Sequence, residues 1–77
     1  MPRLVPISRK KFEKFLAFIG CYFKRQKGDH LIYNRIDLKR PVVFTTDKEV
    51  PMFIIRNNLR TLGISINDYL EIIKRLK

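Results

Sequence analysis

The fold is decided by residues 21–35, which read CYFKRQKGDHLIYNR. From Cys21 onward, apolar and polar residues alternate and aromatic side chains are frequent, which is typical of β-strands. Lys27-Gly28-Asp29 forms a tight connection, because glycine tolerates positive φ and aspartate is common in turns. The pattern predicts a β-hairpin, with strands from residue 21 to about 26 and from residue 30 to about 35.

A third strand is predicted at Val42–Thr45, where strand-forming residues follow Pro41. Residues 37–40 supply the turn before it. Three strands joined by short turns are most simply an antiparallel meander. Residues 46–50 are expected to form a polar loop after the third strand.

A helix is predicted before the hairpin, over about residues 9 to 19. Ser8 is its expected N-cap, and Gly20 stands where a left-handed residue commonly ends a helix. Its apolar side chains recur at positions i, i+3, i+4 and i+7, as one face of a helix on a core requires. They are Phe12, Phe15, Leu16 and Ile19.

Two more helices are predicted after the strands. The first has Pro51 in its first turn, where the missing N–H would be unpaired anyway, and it ends at Gly63. Its core-facing residues are Ile55, Leu59 and Leu62. The second starts behind Ser65, which forms a capping box with Asp68. Its apolar stripe consists of Tyr69, Leu70, Ile73 and Leu76.

The predicted element order is α-β-β-β-α-α, which places the chain in the α+β class. We expect a three-stranded antiparallel sheet with the helices on one face, so that the other face is open to solvent or a ligand. With 77 residues and no linker or repeat, the chain has room for one modest core. We therefore expect residues 1–77 to form a single domain.

Positive charge is concentrated in the first half of the chain. There are 17 Lys and Arg residues against 7 Asp and Glu residues, a net charge of +10. Residues 1–40 hold eleven basic and three acidic residues, while residues 41–77 hold six and four. Such clustering is the expected footprint of a protein that neutralises phosphates. We predict a nucleic-acid partner in preference to charge that serves solubility alone, and no membrane partner.

The residue types present exclude several other classes of protein and site. The single cysteine, Cys21, rules out an intrachain disulfide and fits the reducing cytoplasm. The apolar run at residues 1–7 is too short for a secretory signal, and no segment approaches membrane-spanning length. Scattered carboxylates, one histidine and the lack of a glycine-rich phosphate loop predict no metal site and no cofactor.

The hairpin segment Lys24–His30 combines groups that can cleave RNA. A histidine titrates near neutral pH, so it can take the 2′-hydroxyl proton or protonate the departing 5′-oxygen. Lysine and arginine stabilise charge that grows on the phosphate, and Gly28 lets the backbone approach it. DNA lacks the attacking hydroxyl. These groups therefore select RNA, and DNA is not an expected partner of the chain by itself.

Several of these residues also have a purely structural interpretation. His30 is either a polar surface residue of the hairpin or, because alternation puts it on the same sheet face as Ile32, a buried and hydrogen-bonded histidine. Lys10 and Lys11 can also be the solvated face of a helix, and Asn57-Asn58 the polar side of another. Tyr33 can be a packing residue, and Cys21, which has the parity of Phe23, can be a small core residue.

Residues 20–30, which read GCYFKRQKGDH, resemble the aromatic-rich first hairpin of the HicA toxins, which carries an Arg-Gln-Lys-Gly-Ser-His type motif. Residues 4–8, LVPIS, and residues 59–65, LRTLGIS, also look like that family. The resemblance spans nearly the whole chain, and the hairpin motif is its most specific part.

The resemblance implies a toxin of a toxin–antitoxin pair, with a fold similar to double-stranded-RNA-binding domains. Such toxins cleave messenger RNA without the ribosome, and a cognate HicB-type antitoxin covers their active surface. The catalytic histidine of the family motif corresponds to His30. The residues expected to bind RNA around it are Lys10, Lys11, Lys24, Arg25, Gln26, Lys27, Gly28 and Arg35.

Asp29 departs from the family pattern, because it stands where Ser or Thr is usual. Its carboxylate either orients His30 or repels the RNA phosphate. The leading hypothesis is a metal-independent endoribonuclease with His30 as general acid or base. The second proton-transfer group is another type of residue, with Lys27 and Tyr33 as candidates, or water, or the RNA itself. The alternatives are a non-catalytic RNA-binding module of the same fold and a protein that only binds a partner.

Overall fold

The computed structural model describes residues 3–76, which form three helices and five short strands. The helices are α1 (Arg9–Phe18), α2 (Met52–Leu62) and α3 (Ile66–Arg75). The strands are β1 (Ile7–Ser8), β2 (Tyr22–Lys27), β3 (His30–Asn34), β4 (Val42–Thr45) and β5 (Glu49–Val50). Apart from β1 and β5, this is the predicted order.

Strands β2, β3 and β4 form one antiparallel sheet in that order, so the predicted meander and the α+β class are confirmed. Gly28 and Asp29 alone connect β2 to β3. Gly28 has a φ of +61°, and within the described part of the chain only glycines have positive φ. Glycine in the first of two turn positions is what a type II′ hairpin requires.

The helices cover one face of this sheet, which we name the inner face. It consists of Leu31 and Tyr33 of β3 and of Val42 and Phe44 of β4, all of them buried. Phe12 of α1 meets Phe44 edge to face, with ring centroids 5.1 Å apart. Burial of each large apolar side chain contributes roughly 1.5–3 kcal/mol. Six further residues of the predicted helix stripes belong to this core, namely Phe15, Leu16, Ile55, Leu59, Leu62 and Tyr69.

Both predicted N-caps, Ser8 of α1 and Ser65 of α3, are confirmed. Ser8 Oγ accepts the N–H of Lys11 at 3.2 Å, and Ser65 Oγ accepts the N–H of Asp68 at 3.1 Å. Pro51 is the N-cap of α2 rather than part of its first turn, because its ψ of 157° is extended. The helix therefore begins one residue later than predicted.

Other boundaries also differ by one residue. Helix α1 ends at Phe18 rather than at residue 19, and β2 covers residues 22–27 rather than 21–26. Strand β3 ends at Asn34, since the Oδ1 of Asn34 accepts the N–H of Arg35 at 2.8 Å. The carbonyl of Arg35 then accepts the N–H of Leu38 at 2.9 Å, which starts the turn.

The pairing of β1 with β5 corrects the predicted loop at residues 46–50. Ile7 lies opposite Val50 and Ser8 lies opposite Glu49 in an antiparallel pair. Val50 is 1% exposed and belongs to the core. Two residues are too few to show the alternation of a strand, so local sequence did not indicate this pairing.

Asn58 corrects the interpretation of Asn57-Asn58 as the polar side of α2. Only Asn57 is exposed, whereas Asn58 is 6% exposed and donates from Nδ2 to the carbonyl of Val43 at 3.1 Å. Val43 belongs to β4, an edge strand of the sheet. The amide therefore gives a partner to a main-chain acceptor at that edge and ties α2 to the sheet.

Candidate functional site

The outer face of the sheet, opposite the helices, carries the histidine and two of the cations predicted to bind RNA. Residues that lie directly opposite each other in an antiparallel sheet project to the same side. The register therefore places two rows of side chains on the outer face, one with Lys27, His30 and Thr45 and the next with Arg25, Ile32 and Val43. Thr45 was not predicted as a neighbour of His30, because only the pairing of β3 with β4 brings them together.

A β-bulge in β2 brings Arg25 onto the outer face. The register shifts between Phe23 and Arg25, so Lys24 is an extra residue without its own partner in β3. Strict alternation would place Arg25 on the inner face with Phe23. The extra residue shifts the alternation by one and redirects the side chains that follow. The cations of β2 after the bulge therefore share the face of His30.

His30 lies at the tip of the hairpin, in contact with the carboxylate of Asp29. Its Nδ1 is 2.9 Å from Asp29 Oδ1, and the two side chains are 54% and 75% exposed. The interpretation of His30 as a buried residue is therefore wrong, because the face that it shares with Ile32 is the outer one. A neutral imidazole that donates from Nδ1 carries its lone pair on Nε2. The contact thus leaves Nε2 as the nitrogen open to a ligand.

The hairpin tip is held by hydrogen bonds on both sides. The carbonyl of Asp29 accepts the N–H of Thr46 at 2.9 Å, and the carbonyl of Thr46 accepts Nη1 of Arg9 at 3.0 Å. Gln26 donates from Nε2 to the carbonyl of Gly28 at 2.9 Å, so its amide donor is used within the hairpin. Sequence reasoning missed Arg9 and Thr46, since no local pattern marks a contact between residues so far apart in the chain.

The remaining cations of the hairpin are free to meet an anion. Lys24, Arg25 and Lys27 are exposed, and none of them belongs to an ion pair within residues 3–76. The open backbone at Gly28 lies between them and His30, with no atom within 4 Å of where a Cβ would stand. This part of the surface is strongly basic and sterically accessible.

Lys10 and Lys11 lie on α1, away from the outer face of the sheet. Lys10 lines a cavity of about 300 Å³ together with Arg9 and Lys48. The adjacent Thr46 holds the hairpin tip, so Lys10 extends the basic surface around that tip. Lys11 is half-buried and lines a different cavity of about 170 Å³ beside α3. Lys11 therefore does not join the cluster around His30.

Arg35 lies at the opposite end of β3 and is not brought together with His30. Its Nε and Nη2 donate to the Asp37 carboxylate at 2.6 and 3.2 Å, and its Nη1 donates to the carbonyl of Ile19 at 3.1 Å. The hydrogen bond to Asp37 raises the pKa of Arg35, and the same bond lowers the pKa of Asp37. Arg35 thus holds the turn after β3 against the end of α1.

Tyr33 is a packing residue of the inner face. It is 8% exposed, and its hydroxyl donates to Glu13 Oε1 at 2.6 Å. Burial, followed by this hydrogen bond, raises the pKa of Tyr33. Because its ring lies on the face opposite His30, Tyr33 cannot serve as the second proton-transfer group. Of the two side chains predicted for this role, Lys27 remains, and it lies directly across from His30 in the register.

Cys21 is a small core residue, as predicted. It is 7% exposed, and burial raises the pKa of its thiol. Its predicted parity with Phe23 is not reflected in burial, since Phe23 is 51% exposed and packs edge to face on Tyr33 with centroids 5.6 Å apart. The reason is that β2 is an edge strand, so its inner side is only partly covered.

Within residues 3–76, no group of three or more His, Cys, Asp or Glu side chains is arranged to hold a metal ion. None of the helices in the same part of the chain has the length and apolar character needed to span a membrane.

Comparison with known proteins identifies the family. Neither the curated proteins nor the solved structures give a match. The family model described as HicA toxin of bacterial toxin-antitoxin matches residues 9–64, which run from the start of α1 to just beyond α2 and include the hairpin. Membership of this family implies a protein that acts as the toxin of a toxin–antitoxin system and has an antitoxin as its partner. The chain belongs to the HicA toxin family.

Proposed function

We propose that this toxin is a metal-independent endoribonuclease that cleaves mRNA in the cytoplasm, with residues 1–77 acting as one domain. The observation that carries the proposal is the contact between Nδ1 of His30 and the Asp29 carboxylate, at 2.9 Å, on a surface with unpaired cations. His30 is the catalytic residue of this proposal. A HicB-type antitoxin would inhibit the enzyme by covering the same surface.

In the proposed mechanism, the 2.9 Å contact with Asp29 gives each nitrogen of His30 a role. The neutral imidazole would keep its proton on Nδ1, beside the carboxylate, so that Nε2 accepts the proton of the RNA 2′-hydroxyl as general base. The 2′-oxygen then bonds to the adjacent phosphorus, and the bond from phosphorus to the 5′-oxygen breaks. The products are a 2′,3′-cyclic phosphate and a 5′-hydroxyl. RNA supplies its own nucleophile, which is why the proposed reaction needs no metal-bound water.

The leaving 5′-oxygen requires a proton from a second group. Lys27 is opposite His30 in the register, and its ammonium can donate that proton directly or through water. Lys24 and Arg25 precede Lys27 on β2 and would hold the phosphate while its negative charge grows. Preorganised donors of this kind are worth about 10²–10³ in rate each when they meet charge that develops only in the transition state.

Asp29 fits the proposal as a positioning residue rather than as an obstacle to RNA. Its carboxylate oxygen Oδ1 lies 2.9 Å from Nδ1 of the imidazole. An aspartate in this position fixes the tautomer of a histidine and stabilises the imidazolium that forms after proton transfer. A Ser or Thr at the same position can offer a hydrogen bond but no compensating charge.

The test is cleavage of mRNA in excess chelator by the wild type, by His30→Ala and by Thr45→Ala. We expect His30→Ala to lose about 10²- to 10⁴-fold in kcat/KM, since it removes a general acid–base group. Thr45→Ala changes the half-buried neighbour of His30 in the same row, whose hydroxyl donates to Asp47 at 2.9 Å, and should retain most of the activity. Equal cleavage by the wild type and His30→Ala would remove His30 from the mechanism.

The same preparations decide between catalysis and binding alone. A non-catalytic RNA-binding module would bind RNA in a salt-sensitive manner, with equal affinity in the wild type and His30→Ala, and neither protein would produce fragments. Fragments that end in a 2′,3′-cyclic phosphate and depend on His30 are the result expected of the proposed enzyme.

A further inference from the structure

Tyr22 differs from the other tyrosines of the chain in its surroundings. Tyr33 and Tyr69 are 8% and 2% exposed and make ring contacts in the core. Tyr22 is 54% exposed and makes no ring contact with another aromatic residue of the described chain. More than half of an aromatic side chain is therefore left uncovered at the start of β2.

The register places Tyr22 on the same face as the catalytic candidate. Tyr22 pairs with Asn34, and Asn34 is separated from His30 by an even number of residues along β3, so all three belong to the outer face. The row that contains Arg25 lies between them. The outer face thus presents, in line along the hairpin, an imidazole, a guanidinium and a phenol ring.

The distance between the two ends of this line suits a short stretch of single-stranded RNA. Four residues of a strand that rises ~3.3 Å per residue span about 13 Å. A strand with stacked bases rises about 3.4 Å per base, so the span corresponds to at most about four nucleotides. A nucleotide near the cleaved phosphate at His30 can therefore have a neighbour at Tyr22 in the same bound segment.

We propose that Tyr22 forms a nucleobase-stacking subsite for an unpaired base a few nucleotides from the cleaved bond. The inference rests on the proposed RNA substrate and extends it, because it predicts that the substrate is single-stranded at this position. Unpaired bases are recognised by stacking on exposed aromatic rings, combined with cations that follow the backbone. Arg25 supplies such a cation between Tyr22 and His30.

Asn34 completes the subsite from the neighbouring strand. Its Oδ1 already accepts the N–H of Arg35 at 2.8 Å, which fixes the amide and leaves Nδ2 as a donor. An amide donor beside a stacked base can bond to acceptors on the base edge. The subsite therefore combines a stacking surface, which tolerates any base, with one donor that favours bases with an acceptor within reach.

The experiment measures binding of a fluorescent, fully 2′-O-methylated single-stranded RNA, which has no free 2′-hydroxyl to attack the phosphate. Anisotropy titrations compare the wild type with Tyr22→Ala, Tyr22→Phe and Phe53→Ala. Phe53 is 63% exposed on α2 and serves as the matched control for loss of an exposed aromatic ring. Versions of the RNA with one abasic position each locate the stacked base.

Tyr22→Ala should weaken binding about ten- to a hundredfold, while Tyr22→Phe and Phe53→Ala should bind within about twofold of the wild type. One abasic position should cost the wild type a similar factor and cost Tyr22→Ala almost nothing, because the stacking partner is already absent. Circular dichroism checks that each variant is folded.

The inference is overturned if the abasic substitutions have equal effects in the wild type and Tyr22→Ala, or if Tyr22→Phe binds as weakly as Tyr22→Ala. It is also overturned if Tyr22→Ala weakens binding of the antitoxin and leaves RNA binding unchanged. Cleavage of unmodified RNA is followed separately. If the binding data show no stacking at Tyr22 but cleavage still depends on His30, only the subsite is contradicted. If the data show stacking at Tyr22 but no RNA is cleaved, only the proposed enzyme is contradicted.

Discussion

Both ends of β3 carry an aspartate paired with a basic side chain, and the two pairs differ in their surroundings. At the hairpin tip, His30 Nδ1 is 2.9 Å from Asp29 and the histidine side chain is 54% exposed. At the other end, Arg35 Nε is 2.6 Å from Asp37, and the arginine side chain is 22% exposed and also bonds to the carbonyl of Ile19.

The two basic groups differ in how many nitrogen atoms remain free to bind a substrate. A guanidinium is permanently charged, and the one at Arg35 uses all three of its nitrogens on partners within the chain. An imidazole has two nitrogens, and the contact with Asp29 involves only Nδ1. The Arg35 pair therefore stabilises a turn, while the His30 pair leaves a group that can exchange a proton with a substrate.

The largest difference between the two pairs is expected in kcat, when each aspartate is replaced by asparagine in turn. Asp29→Asn should lower kcat by at least about tenfold, because the amide nitrogen can donate to Nδ1 and so favour the tautomer with its proton on Nε2. Asp37→Asn makes the same chemical change at the other end and should leave kcat and KM unchanged. Steady-state cleavage of RNA measures both constants.

The two constants also separate the two roles considered for Asp29. A residue that orients His30 affects kcat and leaves KM similar. If Asp29 instead repelled the RNA phosphate, Asp29→Asn would lower KM and leave kcat unchanged. That result would show that Asp29 does not position His30.

A smaller and opposite difference is expected in stability. Arg35→Ala should lower the free energy of unfolding by about 1 kcal/mol, the usual contribution of a hydrogen bond such as the one to the carbonyl of Ile19. His30→Ala alters an exposed side chain and should stay within about 0.5 kcal/mol of the wild type. Urea unfolding monitored by circular dichroism measures both. Equal effects of the two substitutions would show that the pairs do not differ in this way.

Arg35→Ala also tests the prediction that Arg35 binds RNA. Because its guanidinium is occupied within the chain, we expect it to weaken RNA binding less than Arg25→Ala, which removes an unpaired cation from the outer face. Salt-dependent titrations measure this, since each lost phosphate contact lowers the salt slope by about one. If Arg35→Ala lowered RNA affinity more than Arg25→Ala does, Arg35 would belong to the RNA-binding surface.

The smallest expected effect is the acid dependence of stability. The pKa of Asp37 is lowered in the folded protein by its hydrogen bond to Arg35. The pair therefore stabilises the folded state above the unfolded-state pKa of about 3.9, and this contribution is lost as the pH falls through the lower folded-state pKa. Below about pH 4, the wild type should lose stability more steeply than Asp37→Asn.

Urea midpoints measured at a series of acidic pH values test this difference. High salt should reduce the difference in stability between the wild type and Asp37→Asn, because the pair is at the surface and its charges are screened. Curves for the wild type and Asp37→Asn that stay parallel down to pH 2 would contradict the role given to the pair.

Much of the fold was predictable from neighbouring residues in the sequence. The alternation of residues 21–35 and the Gly28-Asp29 turn depend on residues adjacent in the chain, and so does the capping of α3 by Ser65. The same local signals marked His30 as the only imidazole in a basic hairpin. The element order, the core stripes and the candidate catalytic residue therefore followed from the sequence by itself.

The composition of the site was decided by the tertiary structure. The bulge at Lys24 puts Arg25 on the face of His30, where simple alternation would have put it on the other face. Whether a strand is bulged depends on how it registers with its neighbour. Whether Arg35 is free depends on Ile19, just after α1, and on Asp37 in the next turn. Such contacts join residues distant in sequence, so only the folded chain shows which cations are available to a substrate.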